Sequence, residues 1–182
     1  MFGYLIFIVL GVLLMGVFLY NRLVVLRVRI DNSWRQIDVQ LKRRADMIPN
    51  LVEVVKGYAA HEKELFARVT ELRARTSGGG SVKDVSEASN ALSGMLKSLF
   101  AVAEAYPELK ANQNFLMLQE EISGTESKIA FARQFYNDTV MNYNATTRMF
   151  PTNMIASIFG FKAAEYFAIP EEEKEVPRVS FS

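Results

Sequence analysis

Hydrophobic positions follow two different regimes along the chain. From Met1 to Asn21 (MFGYLIFIVLGVLLMGVFLYN) they run on with no charged side chain among them. About 21 helical residues at 1.5 Å rise cover roughly 31 Å, the thickness of a bilayer's hydrocarbon core. The run therefore predicts a transmembrane anchor over residues 1–21. A cleaved signal peptide would want a basic n-region, a shorter apolar core and a small-x-small cleavage site. Here nothing basic precedes the run, and it ends in bulky residues, Phe18-Leu19-Tyr20-Asn21. Tyr4 and Tyr20 stand near its ends, where amphipathic rings prefer the headgroup level. Gly3, Gly11 and Gly16 are spaced by eight and five, so dimerisation through GxxxG is not expected.

Beyond the run, apolar residues recur in steps of three and four, the spacing of one helix face. Leu23, Leu26, Ile30, Trp34, Ile37, Leu41 and Ile48 predict an amphipathic helix continuous with the anchor. A second stripe, Leu51, Val55, Tyr58, Glu62, Leu65, Val69 and Leu72, follows Pro49, which either opens a new helix or kinks the first. Thr76-Ser77-Gly78-Gly79-Gly80-Ser81 is a flexible break, after which Asp84 and Glu87 form a candidate capping pair. Val85, Leu92, Leu96, Leu99 and Val102 mark a third helix ending near Tyr106-Pro107. The fourth carries Phe115, Leu118, Ile122, Thr125, Ile129, Ala132, Tyr136, Thr139, Tyr143 and Phe150. With no strand-like alternation, the prediction is all-α: the anchor, then an antiparallel four-helix bundle with long helices over residues 22–150. Residues 151–169 form an apolar C-terminal segment. Its part from 154 to 169 is too short to span a membrane and is expected to pack as a short terminal helix or lie in the interface. Residues 170–182 read as a charged flexible tail.

Composition narrows the chemistry. The 182 residues are 50% hydrophobic and 23% charged with a net charge of +1, enough for one domain with a core and without the basic excess of a nucleic-acid binder. There is no cysteine and one histidine, His61, which excludes disulfides, thiolate metal sites, cysteine nucleophiles and multi-histidine metal centres. His61-Glu62 begins like H-E-x-x-H, but Leu65 stands where the second ligand belongs. The triple glycine lacks a following Lys-Ser/Thr, so it reads as a linker and not a phosphate loop. Glu120, Glu121 and Glu126 lack the Glu-x-x-His partners of a bundle-borne metal site. No cofactor, metal or catalytic residue is expected.

The basic residues Arg22, Arg27, Arg29, Arg35, Lys42, Arg43 and Arg44 all follow the anchor. The positive-inside bias then puts the body of the chain in the cytoplasm and the N-terminus outside. Arg22, Arg27 and Arg29 are placed to face lipid headgroups, whereas Lys42-Arg43-Arg44 is expected to be a surface patch. A polar stripe on the fourth helix, Gln119, Glu126, Arg133, Asn137 and Asn144, runs at intervals of seven and four. Glu62 falls on an apolar stripe, where it either pairs with Arg133 to fix register or reaches solvent at a bundle edge.

Three segments, Trp34 to Glu62 (WRQIDVQLKRRADMIPNLVEVVKGYAAHE), Ala103 to Asn144 (AEAYPELKANQNFLMLQEEISGTESKIAFARQFYNDTVMNYN) and Phe159 to Phe167 (FGFKAAEYF), closely resemble the bacterial LemA family. The resemblance implies a single-pass protein of the cell inner (plasma) membrane with a cytoplasmic helical bundle and no established enzymatic activity. It also implies an association with HtpX-type membrane metalloproteases or with specialised membrane organisation. Candidate interaction or packing residues are Pro49, Asn50, Glu62, Arg133, Asn137, Phe159, Phe161, Tyr166 and Phe167, together with Tyr106-Pro107 and the stretch from Asn112 to Phe115. The expected function is a membrane-anchored scaffold or adaptor that self-assembles, binds the bilayer and regulates a membrane partner. A lipid-organising structural protein is the alternative, and a hydrolase using His61 and Glu62 a more distant one.

Overall fold

The computed structural model describes residues 2–168, and all regular structure among them is helical: α1 (Phe2–Lys56), α2 (Lys63–Ser77), α3 (Val82–Ala103), α4 (Pro107–Lys110), α5 (Gln113–Arg148) and α6 (Thr152–Ile158). The charged tail at 170–182 lies outside the described residues. Two compact units result, one of residues 2–36 with 134–166 and one of residues 37–133 with 167–168. Both α1 and α5 contribute to each.

The choice left open at Pro49 falls to a helix that simply continues. Proline has no N–H to give the carbonyl four residues back, which ordinarily breaks a helix. That carbonyl belongs to Ala45, and the Arg73 Nε–H of α2 donates to it at 2.7 Å. The orphaned acceptor is thus satisfied from outside the helix. α1 stops only after Lys56, at Gly57. The second apolar stripe is consequently cut in two: Leu51 and Val55 lie in the last turns of α1, while Val69 and Leu72 are buried in α2, with Phe66 rather than Leu65 turned fully inward.

The start of α3 also differs from expectation. Ser81 is the N-cap: its hydroxyl accepts from the Asp84 N–H at 3.1 Å, and the Asp84 carboxylate accepts from the Ser81 N–H at 3.2 Å. This is a capping box one turn before the Asp84–Glu87 pair read from the sequence. Glu87 instead lies 3.9 Å from Lys83 on the exposed face. Hydrogen bonds from Ser81 hold the Asp84 carboxyl below the usual carboxylate range.

In the second unit, Ile48, Leu51 and Val55 of α1, Phe66 and Val69 of α2, Leu92, Leu96 and Leu99 of α3, Leu109 of α4 and Phe115 and Ile122 of α5 share one core. Arg73 meets Ala45 while Lys56 sits over the Phe66 ring at 5.6 Å, so α2 runs back along α1. Fourteen residues forward from Arg44 to Tyr58 correspond to fourteen back from Glu126 to Asn112, so α5 also opposes α1. The Asn112 side chain caps α5, accepting from the N–H groups of Asn114 and Phe115 at 2.9 and 3.1 Å. The sequence reading had no counterpart to α4, a single turn that buries Leu109.

In the first unit, Leu19, Leu23 and Ile30 of α1 and Tyr136, Val140 and Tyr143 of α5 are buried, with Trp34 edge-on to Tyr136 at 5.5 Å. Gly160, at φ 70°, lets the Phe161 N–H reach the Ala156 carbonyl at 2.9 Å and closes α6. Residues 161–168 then run without regular structure. The large apolar side chains of α1 between Tyr4 and Phe18 are exposed, and this helix is long and apolar enough to cross a membrane.

Candidate functional site

Two polar constellations organise the chain, one in each unit. In the second unit, Ile37, Leu41, Arg44, Ala45 and Ile48 share the inward face of α1, and Arg44 is 0% exposed. Its Nη1 donates to Glu126 Oε1 of α5 at 2.6 Å and to Ser93 Oγ of α3 at 2.9 Å; its Nη2 donates to Ser89 Oγ at 2.9 Å. Ser93 in turn donates to Glu126 Oε2 at 2.8 Å. One guanidinium thereby ties α1, α3 and α5 at a single level. Lys42 and Arg43 remain on the surface, Arg43 at 3.9 Å from Glu121, but Arg44 corrects the expected surface patch. A 3.6-residue period carries position 44 to the side occupied by Leu41 and Ile48, so a surface placement would have required a break in the helix. Arg44 Nε and Gln40 Oε1, one turn apart, are buried without a direct partner among the described residues.

An ion pair whose guanidinium is buried, joined to a half-buried carboxylate by one direct hydrogen bond and through Ser93, fixes register more than it adds stability. Its serines already serve as hydrogen-bond partners of the charges. Glu126, which the sequence reading weighed as a metal ligand, is the counter-ion. Among the described residues, no group of three His, Cys, Asp or Glu is gathered to hold a metal.

The second constellation clamps the segment after α6. In the first unit, the Tyr143 hydroxyl donates to the Lys162 carbonyl at 2.9 Å and the Tyr136 hydroxyl to the Glu165 carbonyl at 2.9 Å. Asn144 meets Ala164 twice, donating to its carbonyl at 3.0 Å and accepting from its N–H at 2.8 Å. Spacings of seven and eight put these three side chains on one face of α5. They read backbone, not side chains, and so satisfy a strand-less segment as a neighbouring strand would. Burial, then the charges of Glu165 and Asp31, pushes the Tyr136 hydroxyl up to about 12; burial raises Tyr143 as well.

In the second unit, the Asn90 amide donates to the Ala168 carbonyl at 3.0 Å and accepts from Arg133 at 3.1 Å, while the Arg133 guanidinium lies over the buried Phe167 ring at 5.7 Å. The polar stripe of α5 thus divides by function: Glu126 neutralises Arg44, Arg133 and Asn144 hold the C-terminal segment, and Asn137 is half-buried between them.

The remaining candidates are scattered. Phe159 and Phe161 pack on Tyr20 at 4.8 and 5.7 Å, and Tyr166 is half-exposed. Pro49 and Asn50 are exposed on α1. Arg22, Arg27 and Arg29 are exposed. The pairing of Glu62 with Arg133 is not made. Glu62 stands at the N-cap of α2, shortly after Tyr58, which meets Asn112 at the start of α5. Arg133 lies 20 residues into α5, about 30 Å along that helix.

Sequence reasoning missed Arg44, Ser89, Ser93, Arg73 and Asn90, and took Tyr136 and Tyr143 for plain core. One signal was present: the apolar stripe of α1 skips from Leu41 to Ile48, and the position that fills the gap is an arginine beside an alanine.

Fold and site define an all-α protein with one N-terminal helix long and apolar enough to cross a membrane and a helical body pinned by buried polar contacts. The LemA family model matches residues 33–181, most of the chain, and the chain belongs to the LemA family. It is 26% identical to Protein LemA of Metamycoplasma hominis, over 92% of this chain and 80% of that protein. It is also 26% identical to Magnetosome protein MamQ 2 of Paramagnetospirillum magneticum and 23% identical to Magnetosome protein MamQ of Magnetospirillum gryphiswaldense, in each case over 81% of this chain. The chain spans 64% of the length of these magnetosome relatives.

Proposed function

We propose that this protein is a single-pass, membrane-anchored scaffold or adaptor without enzymatic activity, which self-assembles and holds or regulates a membrane partner on the cytoplasmic side of the inner (plasma) membrane. The observation that carries the reading is α1 itself. One uninterrupted helix presents large apolar side chains to its surroundings from Tyr4 to Phe18 and then supplies core residues as far as Val55. Such a helix is built to join a membrane to a folded body. The positive charges that follow the apolar stretch set the orientation.

The hydrogen bonds that the buried Arg44 donates to Ser89, Ser93 and Glu126 are spent on holding helices together. His61, by contrast, lies exposed between α1 and α2. A second reading, a structural organiser of lipid, is favoured by the uncharged residues 149–161. The HtpX-type metalloprotease that the family resemblance implies as partner is carried by no residue or relative described above and enters as an outcome of the test.

The test is purification of the full-length chain from its own membranes in mild detergent, with particle mass and co-purifying proteins determined together. A defined particle heavier than one chain in its micelle is expected, with or without a membrane protease. A partner-free monomer contradicts the scaffold reading.

A further inference from the structure

We propose that the α5–α6 turn and α6 form a second membrane contact, inserted into the interface of the leaflet from which α1 emerges. The proposal rests on the membrane-anchored reading of α1 and adds to it a site of lipid contact elsewhere in the chain.

Thirteen consecutive residues, 149–161 (MFPTNMIASIFGF), carry no charge. Within them Met149, Phe150, Met154, Ile158 and Phe159 are 60%, 80%, 56%, 72% and 59% exposed. Five large apolar side chains exposed within eleven residues form a patch that in water marks a contact surface. The other side of the segment is fixed to α1. Thr152 and Ala156 are buried, a Cβ placed on Gly16 would lie 3.9 Å from Ile155 Cδ1, and the Tyr20 ring packs on Phe159 at 4.8 Å. α6 is therefore held beside residues 16–20 of α1, inside the apolar stretch and before its first charge at Arg22. Gly16 lies about 6 Å deeper than Tyr20 along the helix. A bilayer that covers α1 as far as Tyr20 meets α6 as well, at the depth of about 5–10 Å where interfacial segments sit.

Charge supports the same occupant. Arg148 and Lys162 bracket the uncharged stretch, Arg22 stands on α1 just past the apolar run, and all three are exposed. No acidic residue occurs from Thr139 to Ala164. Long basic side chains on either side of an apolar wedge reach headgroup phosphates while their stems lie along acyl chains.

The chain has no cysteine, so single-cysteine variants of the full-length protein report position directly. Phe150→Cys, Ile158→Cys, Leu10→Cys and Ser127→Cys are each labelled with an environment-sensitive fluorophore. They are then reconstituted in phosphatidylcholine–phosphatidylglycerol vesicles with or without lipid carrying a nitroxide high on its acyl chain. Labels at 150 and 158 are expected to emit blue-shifted and to lose most of their intensity to the nitroxide, while the label at 127 is unaffected. Labels at 150 and 158 that behave like 127 while 10 emits from an apolar environment overturn the proposal and leave the anchor standing. Labels that are blue-shifted but unquenched overturn it in favour of cover by a second copy or another protein. A water-like signal at 10 removes the anchor and the proposal together.

Discussion

Arg44 and Glu126 show what a single residue is asked to do in this chain. A fully buried guanidinium is tolerable only with a counter-charge and hydrogen bonds to its fork, and both are supplied from other helices. Removing the carboxylate leaves the positive charge buried, so Glu126→Gln is expected to cost about 3 kcal/mol in denaturant unfolding. Combining it with Arg44→Met should recover most of that loss, because a flexible apolar side chain fills the same space without a charge. A Glu126→Gln variant as stable as the parent would show that the pair is not the pin described. Tyr136 makes a pH-dependent contribution. Its hydroxyl is raised from 10 to about 12 in the folded chain, so between these values the unfolded chain releases the proton while the folded chain keeps it. The stabilisation is complete below pH 10 and is lost progressively as the pH rises towards 12. Tyr136→Phe should flatten that alkaline decline, leaving the part due to Tyr143, and should cost about 1 kcal/mol at neutral pH for the lost bond to Glu165. Thermal melts across the alkaline range read both effects. Neither residue's role was legible from spacing alone. Helical periodicity says which positions turn inward, but the partners of Arg44 come from 45 to 82 residues away, and the tyrosine hydroxyls meet backbone that has no sequence signature.

Among the elements, the long helices were legible because their apolar stripes are long and regular, and the end of α3 because Pro107 follows it closely. The breaks were less so. Pro49 was ambiguous because its effect depends on what happens to the Ala45 carbonyl, and the answer, Arg73, sits on another helix. Gly57 ends α1 without any proline or polar cluster to announce it. Four long helices were expected where six of very unequal length occur among the described residues, since a one-turn α4 is too short to show a period. The Pro49 account is testable as a cycle. Arg73→Ala strands the Ala45 carbonyl and should destabilise by about 1–2 kcal/mol. Pro49→Ala restores the intrahelical bond, so it should rescue the Arg73→Ala chain more than it helps the parent. Equal effects in the two backgrounds would mean that Arg73 does not compensate the proline. The sequence predicts a short terminal helix or an interfacial segment over residues 154–169. A seven-residue α6 is there, followed by an irregular stretch clamped to α5.

At the scale of the whole molecule, the chain combines a helix fit for a bilayer with a helical body of the LemA family. The apolar run and the family segments stand plainly in the sequence. The body's polar pins do not, because they depend on which residues meet across helices. The central proposal is that α1 holds the protein in the membrane with its body on the cytoplasmic side. It is tested most directly by labelling single cysteines in intact spheroplasts with a membrane-impermeant maleimide. A cysteine in place of Gly3 is predicted to label from outside and one in place of Ser127 only after lysis, with the chain in the membrane fraction. Labelling of both positions only after lysis, with the chain recovered as soluble protein, or labelling of Ser127→Cys from outside, would contradict the account.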